Sequence, residues 1–242
     1  MDTTRKFGLI GKNISYSFSK KYFTDKFQKL LLQKHQHELL DFQSIDEVEQ
    51  FLSKTDYIGL NVTIPYKTEI IPFLDNLSEE AKEIGAINTI KIKEGKKTGY
   101  NTDAFGFEKT LLLHKKSHHT KALILGDGGA AKAVKYILKK HNIPFLTIAR
   151  SAEVTFETIT PEIVEEHLLI IQTTPVGTFP NTEDSVPFPF QAISERHLVI
   201  DLIYNPTYTK FMRLAAEHNA KTVNGYFMLE QQAEKAWEIW NS

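Results

Sequence analysis

Lys121-Ala122-Leu123-Ile124-Leu125-Gly126-Asp127-Gly128-Gly129-Ala130-Ala131-Lys132 is the stretch that decides the fold. Its first five residues form a short apolar strand, and Lys132–Lys140 reads as a helix. The turn between them spaces its small residues as G-x-G-x-x-A. Gly126 permits the tight turn, Gly128 lets main chain approach a pyrophosphate, and the small Ala131 allows helix and strand to pack closely. Gly129 and Ala130 fall where the helix start offers unpaired N–H groups and a positive dipole end to phosphates. The glycine pattern alone would also suit a plain tight turn. Its strand-turn-helix context makes it a dinucleotide site. The next strand, Pro144–Ala149, ends at Arg150-Ser151, where such folds place the group that reads the adenosine ribose. An acidic residue there would accept a hydrogen bond from the 2′-OH of NAD, whereas Arg150 offers a charged fork to the 2′-phosphate of NADP. The bland alternative for Arg150 is a surface residue at a strand end. The expected cofactor is NADP(H).

Outward from this turn, apolar runs of strand length alternate with amphipathic stretches of helix length, the pattern of an α/β fold with parallel sheets. Strands are expected at Phe7–Ile10, Glu38–Phe42 and Ile58–Thr63, with helices at Lys20–Leu32 and Asp46–Leu52. Ser44 and Glu47 form a capping box for the second helix. Ile87–Ile92 and Thr98–Tyr100 flank the polar turn Lys93–Lys97 and read as a hairpin. After a helix at Asp103–Leu113, the segment His114–Thr120 carries three histidines in seven positions. It has no interleaved carboxylate and joins two elements, so it is expected to be a solvated connector rather than a metal site. His35 and His37 are read the same way, and no metal is expected. Pro175–Pro189 is read as a long loop overhanging a site.

Composition excludes several classes. The chain has 242 residues, 41% hydrophobic and 24% charged, which is globular rather than disordered or membrane-embedded. A net charge of −1 offers no bulk attraction to nucleic acid or an anionic membrane. There are no cysteines, which suits a reducing compartment, and the apolar stretch after Met1–Lys6 is too short for a leader peptide. The expectation is a cytoplasmic enzyme of a small molecule, with neither nucleic acid nor membrane as partner, as a monomer or homodimer.

Three further motifs lie in the first half: Gly59-Leu60-Asn61-Val62-Thr63-Ile64-Pro65-Tyr66-Lys67, Gly85-Ala86-Ile87-Asn88-Thr89 and Gly99-Tyr100-Asn101-Thr102-Asp103. Two more, Asp201-Leu202-Ile203-Tyr204-Asn205-Pro206 and Gly225-Tyr226-Phe227-Met228-Leu229-Glu230-Gln231-Gln232-Ala233, lie towards the C-terminus. Together they resemble the shikimate dehydrogenase family across nearly the whole chain. The resemblance implies a reversible NADPH-dependent reduction of 3-dehydroshikimate to shikimate, a step of aromatic amino-acid biosynthesis. Lys67 matches the family's lysine and is the candidate general acid, because a ketone receiving hydride becomes an alkoxide that needs a proton. Asp103 matches its paired aspartate, expected to hold the ammonium and bond a substrate hydroxyl. Alone, each would read as a surface lysine or a helix-start aspartate. Ser17 and Ser19 match the family's S-x-S, whose hydroxyls grip the substrate carboxylate with help from Tyr204; Ser19 also suits a helix N-cap. Asn61, Thr63, Asn88 and Gln232 match residues that bond ring hydroxyls. Gly225 and Met228 match residues near the nicotinamide, and Thr174 lies in a loop like the family's cofactor-flanking turn.

The resemblance also implies the architecture: an N-terminal α/β substrate-binding catalytic domain at 1–101, an NADP-binding Rossmann-type domain at 102–224, and a C-terminal helix in 225–242 returning to the first. Several positions depart from the family pattern. Lys20 replaces a proline, the asparagine and histidine common slightly further on are absent with Phe23 and Thr24 instead, Ala149 and Gln172 each replace an asparagine, and a second basic residue is missing near Val154. Other readings are a quinate/shikimate dehydrogenase, a non-catalytic dinucleotide-binding regulator, and a Rossmann-like methyltransferase. The last leaves Arg150 and the Lys67 motif unexplained.

Overall fold

The computed structural model describes residues 4–15 and 17–242. Met1, Asp2 and Thr3, from the segment read for targeting, and Tyr16, between Ile14 and Ser17 of the serine motif, lie outside the described residues. The chain forms two compact units, Met1–Thr102 with Ala233–Ser242, and Asp103–Gln232.

The first unit opens with β1 (Arg5–Gly11), α1 (Phe18–Lys29), β2 (His35–Asp41), α2 (Ile45–Lys54) and β3 (Gly59–Val62). These strands pair in parallel, β2 and β3 on either side of β1, as helix-connected strands do. Then come β4 (Asn76–Leu77), α3 (Glu79–Ile84), β5 (Thr89–Lys93) and β6 (Lys96–Tyr100), completing a six-stranded mixed sheet in the order β2-β1-β3-β5-β6-β4. The β5–β6 hairpin turns on Glu94 and Gly95 alone, at φ 53° and 75°, the left-handed pair a tight two-residue hairpin needs. Two apolar clusters stabilise the unit. One packs Val48 and Leu52 of α2 on Ile10, Leu60, Val62 and Ile90 of the sheet. The other joins Phe23 and Phe27, one turn apart on α1, to Phe7 and to Ala233, Ala236 and Trp240 near the C-terminus.

Two expectations are corrected here. Helix α1 starts at Phe18 rather than Lys20, and Ser17, not Ser19, is its N-cap. The Ser17 backbone is extended, and its Oγ accepts the Ser19 N–H at 3.3 Å. His35 and His37 belong to β2, not to a solvated connector. Pairing with β1 extends the strand across polar residues, and its alternation turns His37 inward to 4% exposure.

In the second unit α4 (Thr102–His114), whose first residue belongs to the first unit, leads to β7 (Ala122–Leu125), α5 (Gly129–Lys140), β8 (Phe145–Ile148), α6 (Pro161–Glu166) and β9 (Leu169–Gln172). β10 (Leu198–Asp201), α7 (Lys210–Glu217), β11 (Lys221–Val223) and α8 (Tyr226–Asn241) follow, α8 passing back into the first unit at Ala233. The five strands, ordered β11-β10-β9-β7-β8, are all parallel, giving a Rossmann-like sheet. β7, β9 and β10 are wholly buried, which is why their sequences run apolar without alternation. Residues 173–189 contain neither helix nor strand, in keeping with the expected long loop. The connector after α4 is less solvated than its composition suggests. His119 is buried, its Nδ1 accepting the Lys116 N–H at 2.9 Å and its Nε2 bonding the Arg196 carbonyl at 3.0 Å. Among the described residues no helix is long and apolar enough to cross a membrane.

Candidate active site

In the first unit the loops that follow β1 and β3 gather most of the polar candidates. The Ile64 carbonyl, beyond the end of β3, accepts the Lys12 N–H at 3.3 Å, and the Thr63 N–H donates to Ile10 at 2.8 Å. The loop after β1 then turns through Ile14, whose carbonyl accepts the Ser17 N–H at 2.9 Å, to reach the half-buried Ser17 and Ser19. After β3 the chain makes a turn in which the Tyr66 N–H bonds the Thr63 carbonyl at 3.0 Å; the buried Tyr66 hydroxyl anchors it to the Phe42 carbonyl at 2.8 Å. Lys67 leaves this turn half-buried, its own carbonyl held by the Ile87 N–H at 2.8 Å. That bond ties the lysine's main chain to the segment bearing Asn88.

Asn61 and Asn88 are both buried and belong to one hydrogen-bond network. Asn61 Nδ2 donates to Thr89 Oγ1 at 3.3 Å and the Asn88 carbonyl at 3.4 Å. Thr89 Oγ1 donates to Asn88 Oδ1 at 3.2 Å, and the same oxygen accepts the Thr102 N–H at 2.7 Å and hydroxyl at 3.1 Å. Asn101 Nδ2 bonds the Ala86 carbonyl at 2.9 Å. The three motifs of the first half therefore fold into one interlocked set, which spacing alone does not show.

In the second unit Asp103 sits in the first turn of α4, 7% exposed. One turn on, Gly106 lets α8 approach so closely that a Cβ there would lie 2.5 Å from the Met228 carbonyl and 3.3 Å from Gln232 Cβ. Residues three apart share a helix face, so the Asp103 side of α4 faces the α8 segment carrying Met228 and Gln232, both buried. Gln232 Nε2 bonds the Leu229 carbonyl at 3.0 Å.

The remaining candidates collect at the carboxyl ends of the parallel strands, the edge where open α/β sheets bind ligands. Gly126, at φ 110°, follows β7 and presses on Thr173 and Thr174 beyond β9. Its N–H bonds the Ile148 carbonyl at 2.8 Å, which aligns the turn with the end of β8, two residues before the exposed Arg150 and Ser151. Gly128 is the N-cap of α5, and nothing lies within 4 Å of where its Cβ would be. Among the described residues no side chain caps α5, so the first N–H groups of the helix, around Gly129 and Ala130, have no side-chain acceptor. A helix start of this kind can accept an anionic group such as a phosphate. Tyr204 follows β10 and is half-buried; Gly225 follows β11 and packs on the Leu202 carbonyl.

Two organising residues escape sequence reasoning because their partners are distant or main-chain. Gln172 is fully buried; its Oε1 accepts the Thr174 N–H at 2.8 Å and its Nε2 bonds the Val176 carbonyl at 3.4 Å, so it shapes the loop bearing Thr174. Asp201 accepts the Thr209 hydroxyl at 2.6 Å and the Ile203 N–H at 3.0 Å beside Tyr204. Its carboxyl is pushed up to about 6 by burial, with those two hydrogen bonds opposing. Lys135 pairs with Asp127 of the glycine turn. Among the described residues no group of three or more His, Asp or Glu could hold a metal ion.

The family model described as the shikimate dehydrogenase substrate binding domain matches residues 9–90. A shikimate dehydrogenase (NADP(+)) of Clostridium perfringens is 37% identical, over 97% of this chain and 92% of that protein. Among solved structures, a shikimate dehydrogenase from Aquifex aeolicus superposes with a TM-score of 0.87 at 33% identity, covering 98% of this chain and 92% of that one. The Thermus thermophilus shikimate 5-dehydrogenase in complex with NADP(H) and shikimate gives a TM-score of 0.87 at 28% identity, covering 98% and 93%.

Proposed function

The chain belongs to the shikimate dehydrogenase family, and from that we propose that it interconverts 3-dehydroshikimate and shikimate with NADP(H). We read the first unit as the substrate-binding catalytic domain and the second as the NADP-binding domain. The observation that carries the reading is how the first unit ties its motifs together: Asn61 and Asn88 share one hydrogen-bond network, the Lys67 carbonyl is bonded to Ile87 beside Asn88, and the loop leading to Ser17 and Ser19 is bonded to the turn after β3. A polyhydroxylated ring with one carboxylate and one carbonyl needs many neutral donors and acceptors and a single proton source.

When bound, NADPH supplies the hydride. The turn at Gly128, with the start of α5, is suited to its pyrophosphate, and Arg150 and Ser151 to its 2′-phosphate. Lys67 Nζ gives its proton to the oxygen as the carbonyl becomes an alkoxide, and takes it back in the oxidative direction. Asp103 bonds a substrate hydroxyl. Ser17 and Ser19 donate to the substrate carboxylate, Tyr204 assisting, and Asn61, Thr63, Asn88 and Gln232 hold the ring hydroxyls. Gly225, Met228 and Thr174 would border the nicotinamide. A cysteine-free chain of this charge suits the cytoplasm, with no nucleic acid or membrane partner, as a monomer or homodimer.

The deciding experiment follows cofactor absorbance while shikimate is offered with NADP and, in parallel, with NAD. Turnover with preference for NADP is expected, and Lys67→Ala should lower kcat by about 10²–10⁴ while NADPH affinity holds. No turnover with either cofactor refutes the activity; a Lys67→Ala loss confined to cofactor binding refutes the role of the lysine.

A further inference from the structure

His37 is a buried imidazole with no part in the chemistry so far assigned. It lies on β2, its ring stacked on Phe23 of α1 with centroids 4.7 Å apart and planes 11° from parallel. Neither ring nitrogen has a hydrogen-bond partner among the described residues, and the same holds for one other atom close by, Asn61 Oδ1. Strand register brings the two residues to one face. Phe7 pairs with both His37 and Gly59, and Leu9 with both Leu39 and Asn61, so His37 and Asn61 point the same way across β1, two residues out of step. Burial holds the imidazole at about 3, with the adjacent Asn61 amide opposing and Lys20 adding to the depression, so the ring is neutral at working pH and carries one N–H.

A buried donor and a buried acceptor that lack other partners are costly apart and satisfy each other when brought together. Given the proposed role of Asn88, we propose that His37 is a positioning residue that donates to Asn61 Oδ1 and so sets the direction of a hydrogen-bond relay ending on Asn88. With Oδ1 turned to His37, Asn61 Nδ2 donates to Thr89 Oγ1, which leaves the Thr89 hydroxyl to donate onward to Asn88 Oδ1, directly or through the Thr102 hydroxyl that itself donates to that oxygen. That oxygen also takes the Thr102 N–H, so Asn88 is fixed with its oxygen inward and its Nδ2 towards the substrate hydroxyl. Without the imidazole N–H the Asn61 amide is free to turn over and draw the Thr89 hydroxyl to it, so Asn88 Oδ1 keeps the Thr102 N–H but loses the Thr89 donor that helps hold the side chain in place.

His37→Phe keeps the stacked ring and removes the N–H, whereas His37→Asn and His37→Gln return an amide donor. His37→Phe should raise KM for shikimate roughly tenfold, with kcat and KM for NADP within about twofold of wild type, and at least one amide variant should restore it. The losses from His37→Phe and Asn61→Ala should combine to less than their product, because the relay is common to both. An unchanged KM, a lowered melting temperature with no KM shift, additive losses, or failure of both amide variants overturns the proposal. A readout that needs no variant at His37 is the wild-type proton spectrum. The His37 ring N–H should exchange slowly with water and show an Overhauser contact to the Asn61 side-chain amide, assigned by its loss in Asn61→Ala; a ring proton lost to rapid exchange overturns the proposal. Wild-type protein that does not oxidise shikimate refutes the proposed function instead, and the ring proton still decides whether His37 holds Asn61.

Discussion

Burying Asp201 at the end of β10 makes the stability of this protein depend on pH in a direction opposite to that of most carboxylates. Its folded value of about 6 lies above the ordinary 3.8, so between these values the folded state binds more protons than the unfolded chain. The group's contribution is complete below that window and declines as pH rises through it, by about 3 kcal/mol in all. Asp201→Asn should therefore cost more stability at about pH 4 than at about pH 8, the difference approaching about 3 kcal/mol in urea unfolding. A cost that is the same at both pH values would put the carboxyl in its ordinary range. His37 works against this trend. Its folded value of about 3 lies below the ordinary 6.5, so the unfolded chain binds the extra proton in that window and stability falls as pH drops through it. Two buried groups in separate units thus pull the acid side of the stability curve in opposite directions.

Helix α8 begins where Gly225 lets two main-chain segments touch. The Gly225 N–H bonds the Ile203 carbonyl at 2.9 Å, its carbonyl accepts the Leu229 N–H at 2.9 Å, and a Cβ would overlap the Leu202 carbonyl. Backbone cannot yield as a side-chain tip can. Gly225→Ala should cost about 1–3 kcal/mol by forcing the start of α8 away from the loop after β10, and should weaken NADPH binding with it. Thermal unfolding and a fluorescence titration with NADPH check both, and a variant unchanged in both refutes the role of the close contact. The strand-turn-helix at 122–140 was legible in the sequence because an apolar run, a glycine turn and a helical stretch all point one way. β4 was not, since a strand of two residues has no periodicity to read. The polar start of β2 looked like a connector because pairing with β1, not composition, makes it a strand. Asn61, Lys67 and Asn88 were named through the motifs that carry the resemblance, but the bonds through Thr89 exist only once β3 and β5 are paired. The cap of α1 was expected at Ser19, and only the extended backbone at Ser17 places it two residues earlier.

The chain passes out of the first unit after Thr102 and returns at Ala233, so that unit cannot complete its core until the C-terminal segment is made. Trp240 is the anchor of that return. It is 4% exposed, its ring centroid lies 5.0 Å from that of Phe7 and 5.2 Å from that of Phe23, and its indole N–H donates to the Ile90 carbonyl at 3.0 Å. Truncating such a ring removes its burial and leaves a cavity lined by aromatic groups that cannot collapse together, and it orphans the Ile90 carbonyl. Trp240→Ala should cost about 3–5 kcal/mol in urea unfolding. The damage should stay on one side of the chain. One apolar cluster of the second unit is built from Leu123, Ile170, Val199, Phe211 and their neighbours, with no residue of the first unit among them. NADPH affinity should then stay within about twofold of wild type while KM for shikimate rises, because Phe23 supports both the Trp240 ring and the His37 ring behind Asn61. Equal losses in cofactor and substrate binding would mean that the second unit's fold depends on the C-terminal anchor as well, and that the two units do not hold their cores separately.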